Sequence, residues 1–409
     1  LKARPAGGGR RRARGTPGAM LPCATPGCPF AQNSRLRLPF QRFCCIACAE
    51  GDSHGPRCSR QRVPRAPAPP VPAAGAGGVQ GAEEVERVDI LKEAREQVKS
   101  GRDTGDKEEE AAGLLLTAEL QLGCDLKDAA LQSATDAREA CRALGKELLE
   151  AQALRLAVKA QLASGKQRLG AVKEKKEREQ FERAGKRAAA AVMLLACSDV
   201  HLAAGEPSKA LKAANTALAT FQQIGDIRWQ VRALHQAGEV QKLFNGADEM
   251  LALVRKAAPL LEELGDAKEE AMMMEIKSHA YQVLGDPHKA LEATLAGLEL
   301  SRSANDKIGE GAALNNVANA YLMMPDGAAE GLEAARQAFE HCTATGNKRE
   351  AFFALCEMVS AYCALERLDD AIEAQRKAVD LARERGDTEQ VKVTSDNLTY
   401  LRSMKGAHG

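Results

Sequence analysis

Two groups of side chains have the residue types and spacing for chemistry. The first is a run of soft metal ligands near the N-terminus: Cys23-x4-Cys28, Phe43-Cys44-Cys45-x2-Cys48 and His54-x3-Cys58. Zinc takes four sulfur or nitrogen ligands, usually in pairs close enough to grip one ion. Seven such ligands fall within 36 residues, and Cys45-x2-Cys48 and His54-x3-Cys58 are the tightest pairs. The preferred reading is one tetrahedral Cys3His zinc site, with Cys28 as a spare or substitute ligand. Cys23 and Cys28 can instead complete a second site, and a cysteine-bearing tail without metal is the plain alternative. A module this small needs its ion to fold. The second group is His235-x3-Glu239 with Glu275-x3-His279. Residues four apart share a helix face, so each pair can act as a unit. Acid-base chemistry is one reading of it, and a mixed polar wall is the better supported one. The chain has no phosphate loop, no nucleophile elbow and no His-Glu-x2-His run, so a non-enzymatic role is expected.

The elements that must position these groups differ along the chain. Residues 1–22 are Gly/Arg/Pro-rich and read as a disordered basic tail, 23–58 as the zinc module, and 59–82 as an Ala/Pro/Gly linker. The first methionine is Met20, so residues 1–19 read as upstream of a start or as part of a truncated chain. Residues 83–105 read as a helix that joins or caps a longer helical array. From there to residue 404 the patterning is helical, without a convincing strand. The charge balance is +1 over 409 residues, which gives no global pull toward nucleic acid or an anionic membrane. Only Phe30, Phe40 and Phe43 could stack on bases beside the N-terminal arginines, so nucleic acid is not an expected partner. No apolar run reaches membrane-spanning length, no secretory leader is evident, and the cysteines read as reduced. The expected location is therefore intracellular, in the cytoplasm.

Helix stops recur every forty residues. Gly145, Gly185, Gly225, Gly265, Asn305, Gly346 and Gly386 form one series, and Gly165, Gly205, Asn245, Gly285 and Pro325 fall midway between them. Glycine and asparagine tolerate the left-handed conformation that ends a helix. Asp226, Asp266, Asp306, Asn347 and Asp387 follow as N-caps. The second helix of each unit carries two columns of small residues. One reads Ala130, Gly170, Ala210, Met250, Ala290, Gly331 and Ala371. The other reads Ala137, Glu177, Ala217, Ala257, Gly297, Ala338 and Ala378. Tyr281, Tyr321 and Tyr362 recur in the first helix as wedges, with His201 in the same place upstream. The fold expected over residues 106–386 is an all-α solenoid of seven helix-turn-helix repeats, closed by a capping helix at 387–404. The run KEKKEREQFER, with Glu177 in a small column, predicts a solvated or loosely packed helix. Pro259 predicts a bend.

These residues resemble the tetratricopeptide repeat family, most closely in YQVLGDPHKALEATLAGLELSR (281–302) and AALNNVANAYL (312–322). The period and the Leu-Gly-Asp link are similar to the forty-residue subclass of kinesin light chains and the Leu-Gly-Asn-repeat polarity adaptors. The resemblance implies a right-handed superhelix whose first helices line a concave groove that holds a peptide or partner helix. Carried onto this chain, the groove residues are Arg155, Lys159, Asp199, His235, Glu239, Glu275, His279, Asn315, Asn319 and Ser360, with Leu195 and Cys356 on the same face and Arg232, Lys242 and Gln282 close by. Asn315 and Asn319 resemble the asparagines that grip a peptide backbone in those adaptors. The Phe-Cys-x3-Cys…His-x3-Cys ending faintly resembles half of a MYND-type zinc finger, which would use Cys44 rather than Cys45. The expected function is a protein-protein interaction scaffold. The alternative is a zinc-dependent nucleic-acid- or protein-binding factor whose solenoid serves for oligomerisation.

Overall fold

The computed structural model describes residues 21–22, 31–32 and 90–408, with side chains over 90–405. The chain divides into two units, 1–72 and 73–409, so the boundary falls inside the Ala/Pro/Gly segment. In the first unit, Leu21–Pro22 pairs antiparallel with Ala31–Gln32, within the stretch expected to hold a disordered tail and a zinc module. The ligands Cys23, Cys28, Cys44, Cys45, Cys48, His54 and Cys58 lie outside the described residues.

The second unit is built of sixteen helices among the described residues. A leading helix α1 (Lys92–Thr104) precedes seven pairs: α2 (Lys107–Gly123) and α3 (Lys127–Ala143); α4 (Glu147–Ala163) and α5 (Gln167–Arg183); α6 (Arg187–Ala203) and α7 (Pro207–Ile224); α8 (Ile227–Phe244) and α9 (Ala247–Leu264); α10 (Ala267–Val283) and α11 (Pro287–Ser303); α12 (Lys307–Leu322) and α13 (Ala328–Ala344); α14 (Lys348–Ala364) and α15 (Leu368–Glu384). A final helix, α16 (Thr388–His408), packs on α15. Each helix packs on its neighbours in sequence. In addition, the first helices touch one another in succession, α2 on α4 through to α12 on α14, while the second helices make no comparable contact among the described residues. A curved two-layer array brings its inner helices closer together than its outer ones, so the first helices form the concave wall.

The stops behave as glycine chemistry dictates. Every glycine of both series has positive φ, as do Asn245 and Asn305. Two further midway turns carry no glycine or asparagine signal and are made instead by Asp125 (φ 62) and Glu366 (φ 58). All five expected N-caps accept a backbone N–H from the following turn, at 3.0–3.2 Å. Both small columns are buried throughout. Glu177 is the informative exception. It is buried, and its carboxylate accepts from Arg138 of the preceding second helix at 2.7 Å, so the charged helix is tied down rather than loose at that point. α9 runs unbroken through Pro259. Of the wedge tyrosines, Tyr321 and Tyr362 are buried and Tyr281 is partly so. The Tyr362 hydroxyl accepts from Arg336 at 3.0 Å, where water was expected.

A further column joins the repeats. Glu110, Glu150 and Glu310 stand in equivalent places of their repeats, and each is buried. Each meets an arginine eight residues upstream, at the end of the preceding helix: Arg102 at 2.8 Å, Arg142 at 3.0 Å and Arg302 at 3.0 Å. These pairs staple one repeat to the next.

The array also meets itself. The C-terminal end of α2 and the turn after it lie across the starts of the later repeats. Glu119 pairs with Lys268 of α10 at 2.9 Å. Gly123 lies so close to Ile308 of α12 that a Cβ there would collide with that side chain. The Cys124 thiol lies 3.8 Å from the carbonyl oxygen of Thr345, and Asp125 pairs with Arg385 at 2.9 Å. The last pair is largely buried, with Arg385 8% and Asp125 12% exposed. The first repeat thus clasps the last three, and the groove becomes a channel.

Candidate functional site

The channel wall is assembled from one face of each first helix. Neighbouring positions on the same helices carry the apolar residues that fasten them: Leu154 and Val158 on α4, Val192 and Leu195 on α6, Val231 and Leu234 on α8, all 0–2% exposed. Arg155 and Lys159 sit four apart on α4 and face Asp199 of α6. The Arg155 Nε donates to Asp199 at 2.9 Å, and Lys159 lies 3.9 Å from the same carboxylate. Arg155 also donates to Gln236 Oε1 of α8 at 2.6 Å, a bridge across two repeats. The Gln236 amide in turn donates to Ser198 at 3.2 Å. On α8, Arg232 donates to Glu269 of α10 at 2.6 Å while its guanidinium lies over the Trp229 ring. Lys242 pairs with Glu239 and with Glu275 at 2.6 Å each. The Nε2 of His235 lies 3.6 Å from the Glu239 carboxylate. His279, one turn beyond Glu275, is close enough to act on the charge of Glu239.

Enclosure sets the electrostatics. Burial raises Asp199, but the Arg155 and Lys159 charges outweigh it and hold the acid below its ordinary range. At Lys159 the attraction of Asp199 is outweighed by the repulsion of Arg155 together with burial, so this ammonium titrates below an ordinary lysine. Burial holds the His235 imidazole down against the pull of Glu239 and Glu275, which leaves it neutral at neutral pH. Burial pushes Glu239 up, but Lys242 holds it at about 2. On α14, burial alone lifts the Glu357 carboxyl to about 7, against a hydrogen bond from Asn319.

The structure brings Arg155, Lys159, Asp199, Arg232, His235, Glu239, Lys242 and Glu275 into one network of partly exposed groups. It places other expected groove residues differently. Asn315 and Asn319 are each only 7% exposed. The Asn315 amide donates to the backbone and side-chain oxygens of Glu350 at 3.0 Å, and the Asn319 amide donates to Glu357 at 3.4 Å. Their donors are taken by α14 because the next first helix presents acids opposite them; the Asn315 Oδ1 keeps no partner. Ser360 is exposed and donates to the Cys356 carbonyl of its own helix at 3.1 Å. Gln282 is buried against Ser278, and Leu195 belongs to the core. Sequence reasoning passed over Ser198, Gln236, Glu269, Glu350 and Glu357. Glu269 and Glu350 occupy the same place in their repeats, which is the one periodic signal that could have drawn attention to them.

An all-α array of helix pairs with an inner wall of first helices is a tetratricopeptide-like solenoid. No family model matches the chain, and no curated protein does. Among solved structures, the Rap protein in complex with Competence and Sporulation Factor is similar at a TM-score of 0.51 and 15% identity, over 73% of this chain and 89% of that one. A signal-transduction ATPase with a tetratricopeptide repeat sensor from Pyrococcus horikoshii gives 0.47 at 14% identity, over 70% of this chain. The chain spans 44% of that ATPase. BtubC from P. vanneervenii gives 0.46 at 14% identity, over 56% of this chain and 93% of that one. At 15% identity the likeness to the Rap protein is one of fold. Among the described residues no helix is long and apolar enough to cross a membrane.

Proposed function

We propose that this protein is a non-enzymatic scaffold that holds an extended peptide or a helix of a protein partner in the channel between its first helices. The observation that carries this reading is the wall itself. A helix buried for stability alone would be satisfied by apolar side chains all round. Instead the inner faces of α4, α6, α8 and α10 carry paired charges that remain partly open to solvent, with Lys159 42%, Glu275 40% and Glu239 34% exposed. Solvent-open charge pairs of this kind contribute only about 0–1 kcal/mol each to stability, so their concentration on one surface is better explained by recognition. Paired donors and acceptors suit a peptide backbone and its side chains, which offer both. The Rap protein, with the same kind of fold, was solved with Competence and Sporulation Factor.

Lys159→Glu and Glu275→Lys test the reading, because both positions are exposed enough to change without unfolding a helix. Peptides selected on the wild-type full chain should bind each variant at least tenfold more weakly. Undiminished binding to both would remove the channel as the site. For residues 23–58 the proposal remains a zinc module that adds a second contact, supported by the spacing of Cys45-x2-Cys48 and His54-x3-Cys58. Cys45→Ser/Cys48→Ser should then release one equivalent of zinc from the full chain. The alternative, a zinc-dependent factor whose solenoid only oligomerises, predicts that the two channel variants alter subunit assembly and leave peptide binding unchanged.

A further inference from the structure

Four side chains at the middle of the channel form a set that peptide recognition does not require. His235 and Glu239 lie four apart on α8, and Glu275 and His279 occupy the equivalent places, in reverse order, on α10. Ligand atoms of His235, Glu239 and Glu275 all lie within 4.8 Å of one another. The fourth, His279, is near enough to influence the Glu239 carboxylate. We infer that His235, Glu239 and Glu275 form a binding site for a divalent first-row transition ion, with zinc as the redox-inert representative, held by one imidazole and two carboxylates from consecutive repeats.

Three observations support the assignment. The ligand set is right: imidazole and carboxylate together suit zinc, cobalt and nickel. The His235 Nε2 is also a buried atom with no hydrogen-bond partner, 3.6 Å from the Glu239 carboxylate. The geometry requires small movements only. Ligand atoms around a tetrahedral zinc stand about 3.3 Å apart, and His235 Nε2 is already 3.6 Å from Glu239.

Lys242 is the group that must yield. Its ammonium lies 2.6 Å from both carboxylates and balances one of their two charges. It is a single charge on a flexible four-carbon stem, whereas the metal brings two charges and uses the unpartnered imidazole as well. The ion therefore displaces the ammonium into the channel and ties the fourth repeat to the fifth. Lys242 thereby acts as the counter-ion of the metal-free protein and as a competitor that weakens the site.

The test is zinc stoichiometry and affinity on the full chain, read as differences so that cysteine-bound zinc cancels. His235→Ala and Glu275→Gln should each lose one ion per chain relative to wild type. Lys242→Met, which removes the competitor and leaves every ligand, should bind that same ion at least tenfold more tightly. Cobalt supplies an independent signature: the visible d–d band of a nitrogen and oxygen site should vanish in His235→Ala while thiolate charge-transfer bands persist. Equal zinc content in wild type, His235→Ala and Glu275→Gln would overturn the assignment, as would a Lys242→Met variant whose zinc affinity matches wild type. Glu275 is 40% exposed, so its variant keeps the test valid if His235→Ala fails to fold.

Discussion

Single residues in the channel report on their enclosure. Glu357 is 6% exposed, accepts only a weak hydrogen bond from Asn319, and titrates near 7. Its folded pKa lies above that of an unfolded glutamate, so the native state prefers the protonated form. The stability this contributes is complete below about pH 4.5 and is lost as pH rises through about 7. The shift amounts to about 3 kcal/mol at most. Glu357→Gln imitates the protonated acid and keeps the acceptor for Asn319. It should melt close to wild type at pH 5 and several degrees higher at pH 8, as thermal denaturation at the two values will show. The expected peptide-gripping asparagines were legible as residues but not as partners. That they share one face follows from helix period, whereas Glu350 and Glu357, which accept from their amides, come from the next repeat and only appear opposite once two first helices are packed.

At the scale of the helix and its turns, the repeat is stated twice over. Glycine and asparagine stops mark the turns because φ is positive there, and the following Asp or Asn caps the next helix. The arginine-glutamate staples repeat the same forty-residue step through Arg102–Glu110, Arg142–Glu150 and Arg302–Glu310. That column escaped notice because charged residues are read first as solvated. Glu366 shows where local preference was overruled. It holds φ 58 with an exposed side chain, a conformation that costs an L-residue about 1 kcal/mol or more. Glu366→Gly should therefore raise the melting temperature, with a gain of about 1 kcal/mol in chemical denaturation. Asp125 has the same backbone conformation, but its carboxylate is engaged by Arg385, so Asp125→Gly should destabilise instead. Measured side by side, the two glycine substitutions separate strain in a turn from a contact made by it.

On the scale of the helical unit, the clasp decides what the channel is. Glu119, Gly123, Cys124 and Asp125 meet Lys268, Ile308, Thr345 and Arg385. Removing one partner of a largely buried ion pair costs about 3 kcal/mol or more, and here the loss falls on the contact that joins the ends. Arg385→Asp should raise the radius of gyration in small-angle scattering and speed amide exchange in residues 119–126. The swap Arg385→Asp/Asp125→Arg should restore both toward wild type. A single variant as compact and as protected as wild type would mean that the apolar contacts at Gly123 hold the clasp without the pair.

The repeat length, most helix ends and the capping residues were legible in the chain, because each depends on neighbours within about forty residues, while the assignment of first helices to the inner wall came from the family resemblance. The same locality explains why Arg155 with Lys159, His235 with Glu239, and Glu275 with His279 could each be placed on one helix face from spacing. What spacing could not supply was the closure. Lys268 reaching Glu119 and Arg385 reaching Asp125 depend on the small rotation added by each repeat and summed along the array. That sum turns an open groove of solvated charges into an enclosed channel, whereas the contacts of the asparagines and the approach of His235, Glu239 and Glu275 to within 4.8 Å need only two adjacent first helices packed together.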